Sequence, residues 1–406
     1  MSAVSGCLLR LEDLKMKKVL CVILALCMVL SLAACSSSGK AASDSKVIKI
    51  GVFEPSSGDS ASGGKKEILG MQYANSLVPE VTLGGQTYKI ELVYGDNGST
   101  TDKAPSAASS LVSAGVSVVL GSYGSSVSMA GGPKFEEAGI PAIGVTCTNP
   151  QVTSDCDVYF RICFLDPFQG TVLANYAYNE LGVDTAYVLG MLGSDYDQGL
   201  MYYFQQAFEA LGGTVVAENF PEGSANFVSY VNNAKSAGAG VIFAPVSINY
   251  AQLIIEAAAA QGFEGSLLGS DTWDDNMVIE SAKGRDVDIF VTTFYQEGGN
   301  AEFDAGIKEW INANADAKTN NGGNDMISAV TAMGYDAYFT ALEAIKAAGT
   351  TDPKAVLEAL PGVSYEGVSG LIEFDDIGDA KRDSAFIKTA NTEAGAWDFV
   401  KIQTVG

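Results

Sequence analysis

Residues 116–120 are an apolar run, Val-Ser-Val-Val-Leu, which passes into Gly121-Ser122-Tyr123-Gly124-Ser125-Ser126 and then into sequence of helical character. A strand that ends in glycine and serine before a helix can bind an anion. The first turn of the helix offers unpaired N–H groups and the positive end of its dipole, glycine lets a ligand approach the backbone, and serine hydroxyls add donors. Ser125 is therefore a candidate for holding a carboxylate or phosphate, with helix capping as its alternative role. A second such place follows, where Ile140-Pro141-Ala142-Ile143 runs into Gly144-Val145-Thr146-Cys147-Thr148-Asn149-Pro150. If the two strands are neighbours, both loops face one ligand beyond the carboxyl ends of a sheet. Neither loop carries GxGxxG, a Walker A lysine or a GxSxG nucleophile turn.

Other chemistry is narrowed by what the chain lacks. It has 406 residues, no histidine, 48 acidic and 24 basic side chains, and a net charge of −24. Ser-His-Asp and Cys-His catalysis and His-ligated zinc are excluded. Nucleic acid is a poor partner for so acidic a chain. Asp271, Asp274 and Asp275 lie close together, but acidic residues at a helix start usually serve as caps and dipole partners. Carboxylate or cysteine catalysis is not expected, and neither is a cofactor or a metal.

These loops need elements to position them. From residue 47 the chain alternates short apolar runs with helical stretches: strands at 47–52, 89–94, 116–120 and 140–143, and helices at 65–78, 103–113 and 126–138. Gly131-Gly132-Pro133 should break or kink the last of these. The helix at 65–78 should turn Ile68, Met71, Ala74 and Leu77 inward. The alternation resumes with helices at 169–181, 197–211, 226–237 and 251–261, between strands at 185–190, 214–217, 240–244, 266–268 and 287–292. Helices at 301–314 and 326–348 follow, then one begun by Asp352-Pro353, and an antiparallel ending at 385–388 and 397–402. This is α/β patterning with a parallel sheet covered by helices, and the length suits two domains at roughly 100–200 residues each.

The first 46 residues read differently. Met16-Lys17-Lys18 precedes an apolar run over 19–30 and then Ser31-Leu32-Ala33-Ala34-Cys35, the layout of a secretory signal. Cys35 after Leu-Ala-Ala resembles a bacterial lipobox, in which the cysteine is lipidated and becomes the new N-terminus. Residues 36–46 form a small, polar tether. Removing residues 1–34 takes away four basic and two acidic side chains, leaving 20 − 46 = −26. Beyond Cys35 only Cys147, Cys156 and Cys163 remain, so at most one disulfide can form among them, with buried thiols as the alternative.

The segments Ile48-Lys49-Ile50-Gly51-Val52-Phe53-Glu54-Pro55, Val118-Val119-Leu120-Gly121-Ser122-Tyr123-Gly124-Ser125-Ser126, Cys147-Thr148-Asn149-Pro150, Tyr159-Phe160-Arg161-Ile162-Cys163, Gly269-Ser270-Asp271-Thr272-Trp273 and Gly334-Tyr335-Asp336-Ala337-Tyr338, in this order, resemble the branched-chain amino acid binding proteins of ABC importers. That is the type I periplasmic (extracytoplasmic) solute-binding family, of Leu/Ile/Val-binding type. The resemblance covers residues 47–402. It implies two Rossmann-like lobes, 47–164 with 297–362 and 168–294 with 369–406, joined by three crossings near 163–167, 294–298 and 361–368, closing on a ligand in the cleft. It implies that Ser125 binds the α-carboxylate of an amino acid with Cys147 (through its backbone) and Thr148. Asp271 would bind the α-ammonium with Thr148, and Tyr123, Tyr196 and Trp273 would line the pocket. The family's first-loop aromatic is replaced by Gly63, which would leave room beside the ligand. Residues 245–250 lack the aromatic pair that aliphatic ligands would favour.

The expected function is thus a lipid-anchored, monomeric receptor that hands a free amino acid, branched-chain or similar, to an ABC permease and its ATPase. A receptor of the same fold for an amide, a urea-like compound or a short peptide is the alternative. A sensory ligand-binding protein is the reading of another class, disfavoured because no transmembrane helix and signalling domain follow.

Overall fold

The computed structural model describes residues 46–404. The expected signal segment, Cys35 and the expected tether up to residue 45 lie outside them. Strands of the first sheet are β1 (Val47–Val52), β2 (Glu80–Leu83), β3 (Gln86–Tyr94), β4 (Val118–Leu120), β5 (Ala142–Gly144) and β6 (Tyr159–Arg161). They lie in the order β2-β3-β1-β4-β5-β6, parallel except for the β2–β3 pair. One face of β1 is fully buried, with Ile48, Ile50 and Val52 almost without exposure, and on the other face Lys49 is partly covered and Gly51 buried, as a helix-covered parallel sheet leads one to expect. The β2–β3 hairpin was not foreseen, although Gly84-Gly85 is a turn signal. Both glycines have positive φ, +55° and +82°, which a tight two-residue hairpin turn needs.

The second sheet contains β7 (Thr185–Met191), β8 (Thr214–Phe220), β9 (Val241–Ala244), β10 (Ser266–Gly269) and β11 (Asp288–Thr293). After a small hairpin of β12 (Ser364–Gly367) and β13 (Gly370–Glu373), it is completed by β14 (Ser384–Asn391) and β15 (Ala396–Thr404). Its order is β15-β14-β11-β10-β9-β7-β8, parallel except for the β11–β14 and β14–β15 pairs. The chain leaves the first sheet after β6. It leaves the second after β11, as helix Ala329–Ala348 packs on helix Ala61–Leu77 beside the first sheet, and it returns at β14. The two sheets thus form two α/β lobes linked by several passages of the chain, the type I arrangement expected.

The helix pairing just named depends on small residues. A Cβ at Gly70 would overlap the Thr331 carbonyl, and one at Gly334 would overlap the Glu67 carbonyl. Only glycine at both positions lets the backbones approach so closely. The buried side of Ala61–Leu77 also differs from the expected one. Lys66, Glu67, Leu69 and Tyr73 are buried with Met71 and Ala74, whereas Ile68 is partly exposed and Leu77 is 51% exposed. The apolar period located a helix but not which polar residues would turn inward.

One other expectation changes, and one open alternative is decided. Helix Ser125–Ala138 runs through Pro133 without a break. Cys147, Cys156 and Cys163 are free and buried, so no disulfide joins them.

Candidate ligand-binding cleft

The loop after β4 is fixed from several sides. Ser125 occupies the first turn of its helix, with Gly124 as N-cap. Its Oγ is buried and accepts the Asn149 N–H at 3.2 Å, which ties the first loop to the second. Ser126 Oγ accepts the Asp195 N–H at 3.0 Å from the other lobe. The Tyr123 N–H donates to Glu54 Oε2 at 2.7 Å. The Tyr123 ring covers Gly63 so closely that a Cβ there would overlap its ring carbons. The space that Gly63 was expected to leave for a ligand is therefore filled by Tyr123.

The second loop, between β5 and Pro150, is organised by a residue that the sequence reading gave no role. Arg161, on β6, is fully buried. It donates to the Cys147 carbonyl at 3.0 Å, the Asn149 carbonyl at 2.5 Å and the Thr153 hydroxyl at 2.9 Å. Its charge is balanced by Asp379, at 2.5 Å. Such a guanidinium satisfies carbonyls that a loop turned away from its sheet cannot pair itself. Cys147 thus has its carbonyl committed and its side chain in the core. Thr148 accepts the Asp166 N–H on its carbonyl at 3.0 Å. Its hydroxyl, which faces the Asp166 carboxyl, is buried and has no hydrogen-bond partner. Burial pushes Asp166 up to about 8.

The second lobe contributes Tyr196 and Asp271. Helix Asp195–Ala210 is capped by Ser194, whose Oγ accepts the Asp197 N–H, and this places Tyr196 in the first turn. The Tyr196 hydroxyl lies 2.7 Å from both Ser270 Oγ and Asp271 Oδ1. Gln169 Nε2 donates to the same Asp271 oxygen at 2.8 Å. Asp271 is 2% exposed, and burial above all raises it to about 6. It does not cap the next helix: Asp275 does, accepting the Met277 N–H at 2.7 Å.

Trp273 departs from expectation. It has no exposure and packs in the second lobe's core with Leu267, Val278 and Ala282, its ring against the bare Cα of Gly269. An indole on the inner side of a one-turn 3₁₀ segment points into that core, so it does not line the pocket.

Between the lobes lies a cleft of about 550 Å³. Tyr123, Ser125 and Ser126 line one wall, and Tyr196, Tyr250 and Thr272 the other. Cys147, Thr148 and Asp271 are not on the lining of this opening. The lobes touch around it. Asn149 Nδ2 donates to the Asp195 carbonyl at 3.0 Å, and Asn249 Nδ2 to the Asp59 carbonyl at 3.0 Å. Lys66 Nζ reaches both the Asp275 carboxylate and Asn276 Oδ1, the latter at 2.8 Å.

Two lobes, parallel sheets with helices, and a cleft at the strand ends define a solute-binding protein of type I fold. Residues 47–393 match the model of the Periplasmic binding protein family, and the chain belongs to it. Among curated proteins, it is 27% identical over 340 residues to Leu/Ile/Val-binding protein homolog 1 of Brucella melitensis, covering 82% of this chain and 88% of that one. Among solved structures, a leucine binding protein from Thermotoga maritima is 30% identical with a TM-score of 0.78, covering 88% of this chain and 99% of the other. An ABC transporter solute binding protein from R. palustris in complex with benzoate has a TM-score of 0.75 at 21% identity, covering 88% and 96%. The resemblance read from the segments thus holds across the fold. Proteins of this kind bind small molecules outside the cytoplasm and work with permease components. Among the described residues, no helix is long and apolar enough to cross a membrane.

Proposed function

We propose that the chain captures a free amino acid between its lobes and releases it to an ABC permease driven by an ATPase, without covalent chemistry. One observation carries this reading. Asp271 is buried, and its Oδ1 is held by Tyr196 and Gln169, so that Oδ2 is left for a ligand ammonium. A buried carboxylate of this kind gains most from a charged partner. In the facing lobe, the Ser125 turn and the unpaired Thr148 hydroxyl suit the α-carboxylate, with Cys147 contributing its backbone N–H. Tyr123 and Tyr196 would enclose the side chain. The lobes, taken as 47–164 with 297–362 and 168–294 with 369–406, would close about the three crossings.

A monomer lipid-anchored through Cys35 is the cellular form that this reading implies. The ligand would be a branched-chain or similar amino acid, and Tyr123 over Gly63 argues for a compact side chain. Calorimetry with the twenty amino acids and benzoate tests the reading. At least one amino acid should bind, and Asp271→Ala should abolish that binding. Binding of benzoate alone, or of an amide or urea-like compound that survives Asp271→Ala, would overturn it.

A further inference from the structure

Two buried carboxyl groups lie behind the ligand-facing loops of the first lobe. Glu54 follows β1, Glu67 lies on helix Ala61–Leu77, and neither is more than 1% exposed. Each holds one loop. Glu54 Oε2 accepts the Tyr123 N–H at 2.7 Å, and Glu67 Oε1 accepts the Thr146 hydroxyl. The two carboxyls face each other. Their remaining oxygens, Glu54 Oε1 and Glu67 Oε2, are buried and receive no donor from any other residue. Gly121 comes close on the open side, where a Cβ would lie 2.6 Å from Glu54 Oε1.

Two carboxylates in dry contact repel, and one proton between them turns that repulsion into a charge-assisted hydrogen bond. We propose that Glu54 and Glu67 share a single proton, so that Tyr123 N–H, Glu54, Glu67 and the Thr146 hydroxyl form one hydrogen-bonded chain positioning the two ligand loops against each other. The ionisable groups facing the pair are Tyr123, Cys147, Tyr159 and Asp271, none of them cationic. Lys66 and Arg161, the cations of this region, are committed to Asp275 and Asp379.

The proton makes the site respond to pH. Burial and the contact between the two carboxyls hold the shared proton well above the usual carboxylate range. The folded chain keeps a proton that the unfolded chain releases near the ordinary value of about 4.3. Stability therefore declines as pH rises from about 5 until the pair loses its proton, and it levels off above that. The pair leaves ligand affinity, which compares folded states only, unaffected until it ionises, and lowers it beyond that point. This second effect rests on the amino-acid reading above; the first does not.

The test compares the full chain with Glu54→Gln, whose amide can donate to Glu67 and still accept the Tyr123 N–H. Between pH 5 and 7, the unfolding equilibrium of the variant should change about tenfold less per pH unit than that of wild type, the effect of one proton. Above pH 7, leucine affinity should fall by up to about tenfold per unit in wild type and stay level in the variant. Parallel unfolding profiles would overturn the shared proton, and parallel affinity profiles would overturn its hold on the loops. Should Glu54→Gln fail to fold, Glu67→Gln serves instead, its amide donating to Glu54 and its carbonyl accepting from Thr146. If leucine binds at no pH, the amino-acid reading fails for this ligand and the unfolding profiles alone decide the proton.

Discussion

The ammonium of Lys66 in the first lobe is paired with the carboxylate of Asp275 in the second, and both side chains are buried. Asn276, next in sequence, accepts from the same ammonium at 2.8 Å and donates to Asn324 Oδ1 at 2.9 Å. Ser328 Oγ meets the Asp274 carbonyl at 2.8 Å. A short segment of the second lobe is thereby clasped by the first. Ion pairs removed from water this fully are costly to break from one side, because the remaining charge is stranded.

Lys66→Met should therefore destabilise the chain by about 3–5 kcal/mol and favour separated lobes. Denaturant unfolding gives the first quantity, and the radius of gyration of the ligand-free chain by solution X-ray scattering gives the second. Adding Asp275→Asn removes the stranded charge and should recover part of the loss. A double variant as unstable as the sum of the singles would show that the pair does not couple the lobes.

Tyr123 and Gly63 form a second coupled pair. Gly63→Ala places a methyl group inside the tyrosine ring and should cost about 1–3 kcal/mol as overpacking. In a Tyr123→Ala background the same methyl has room, so its cost should nearly vanish. Thermal unfolding of the four-protein cycle checks this, and additive costs would mean that the ring does not occupy this space in solution.

Asp271 sets the acid side of the pH response. Raised to about 6 by burial, it is largely neutral at pH 5 and charged at pH 7. An amino acid that binds through its ammonium should lose up to about tenfold in affinity at pH 5, one pH unit below that value. Asp271→Asn should lower affinity by about 2–5 kcal/mol and flatten this acid limb. Titration calorimetry at pH 5, 6 and 7 reads both effects.

Arg161 holds the second loop through the carbonyls of Cys147, Asn149 and Pro150 and the Thr153 hydroxyl, with Asp379 balancing its charge. Arg161→Met should cost about 3–5 kcal/mol, since Asp379 is left buried and unpaired. Arg161→Lys should also be destabilising, because a single ammonium cannot reproduce the planar fork of donors. Thermal midpoints rank the three proteins. A lysine variant as stable as wild type would show that charge alone is required.

The sequence by itself determined the architecture and the class of chemistry. Alternating apolar runs and helices specify a parallel sheet covered by helices, because the periods of strand and helix are local properties of the chain; the division into two lobes came with the family resemblance. Gly121–Ser126 and Cys147–Pro150 were legible as candidate ligand loops from their polar residues at strand ends, and the absence of histidine was plain. Which polar side chains turn inward was decided only by the tertiary structure. Lys66 and Glu67 lie on a helix whose apolar spacing suggested a different buried face, and Lys66 meets its partner 209 residues later. Arg161 meets Asp379 218 residues on. Nothing local announces that Trp273 turns into a core or that Tyr123 fills the place left by Gly63. A buried charge or a large ring is tolerated only where another segment supplies its partner or its space, and those segments meet only when the lobes have folded.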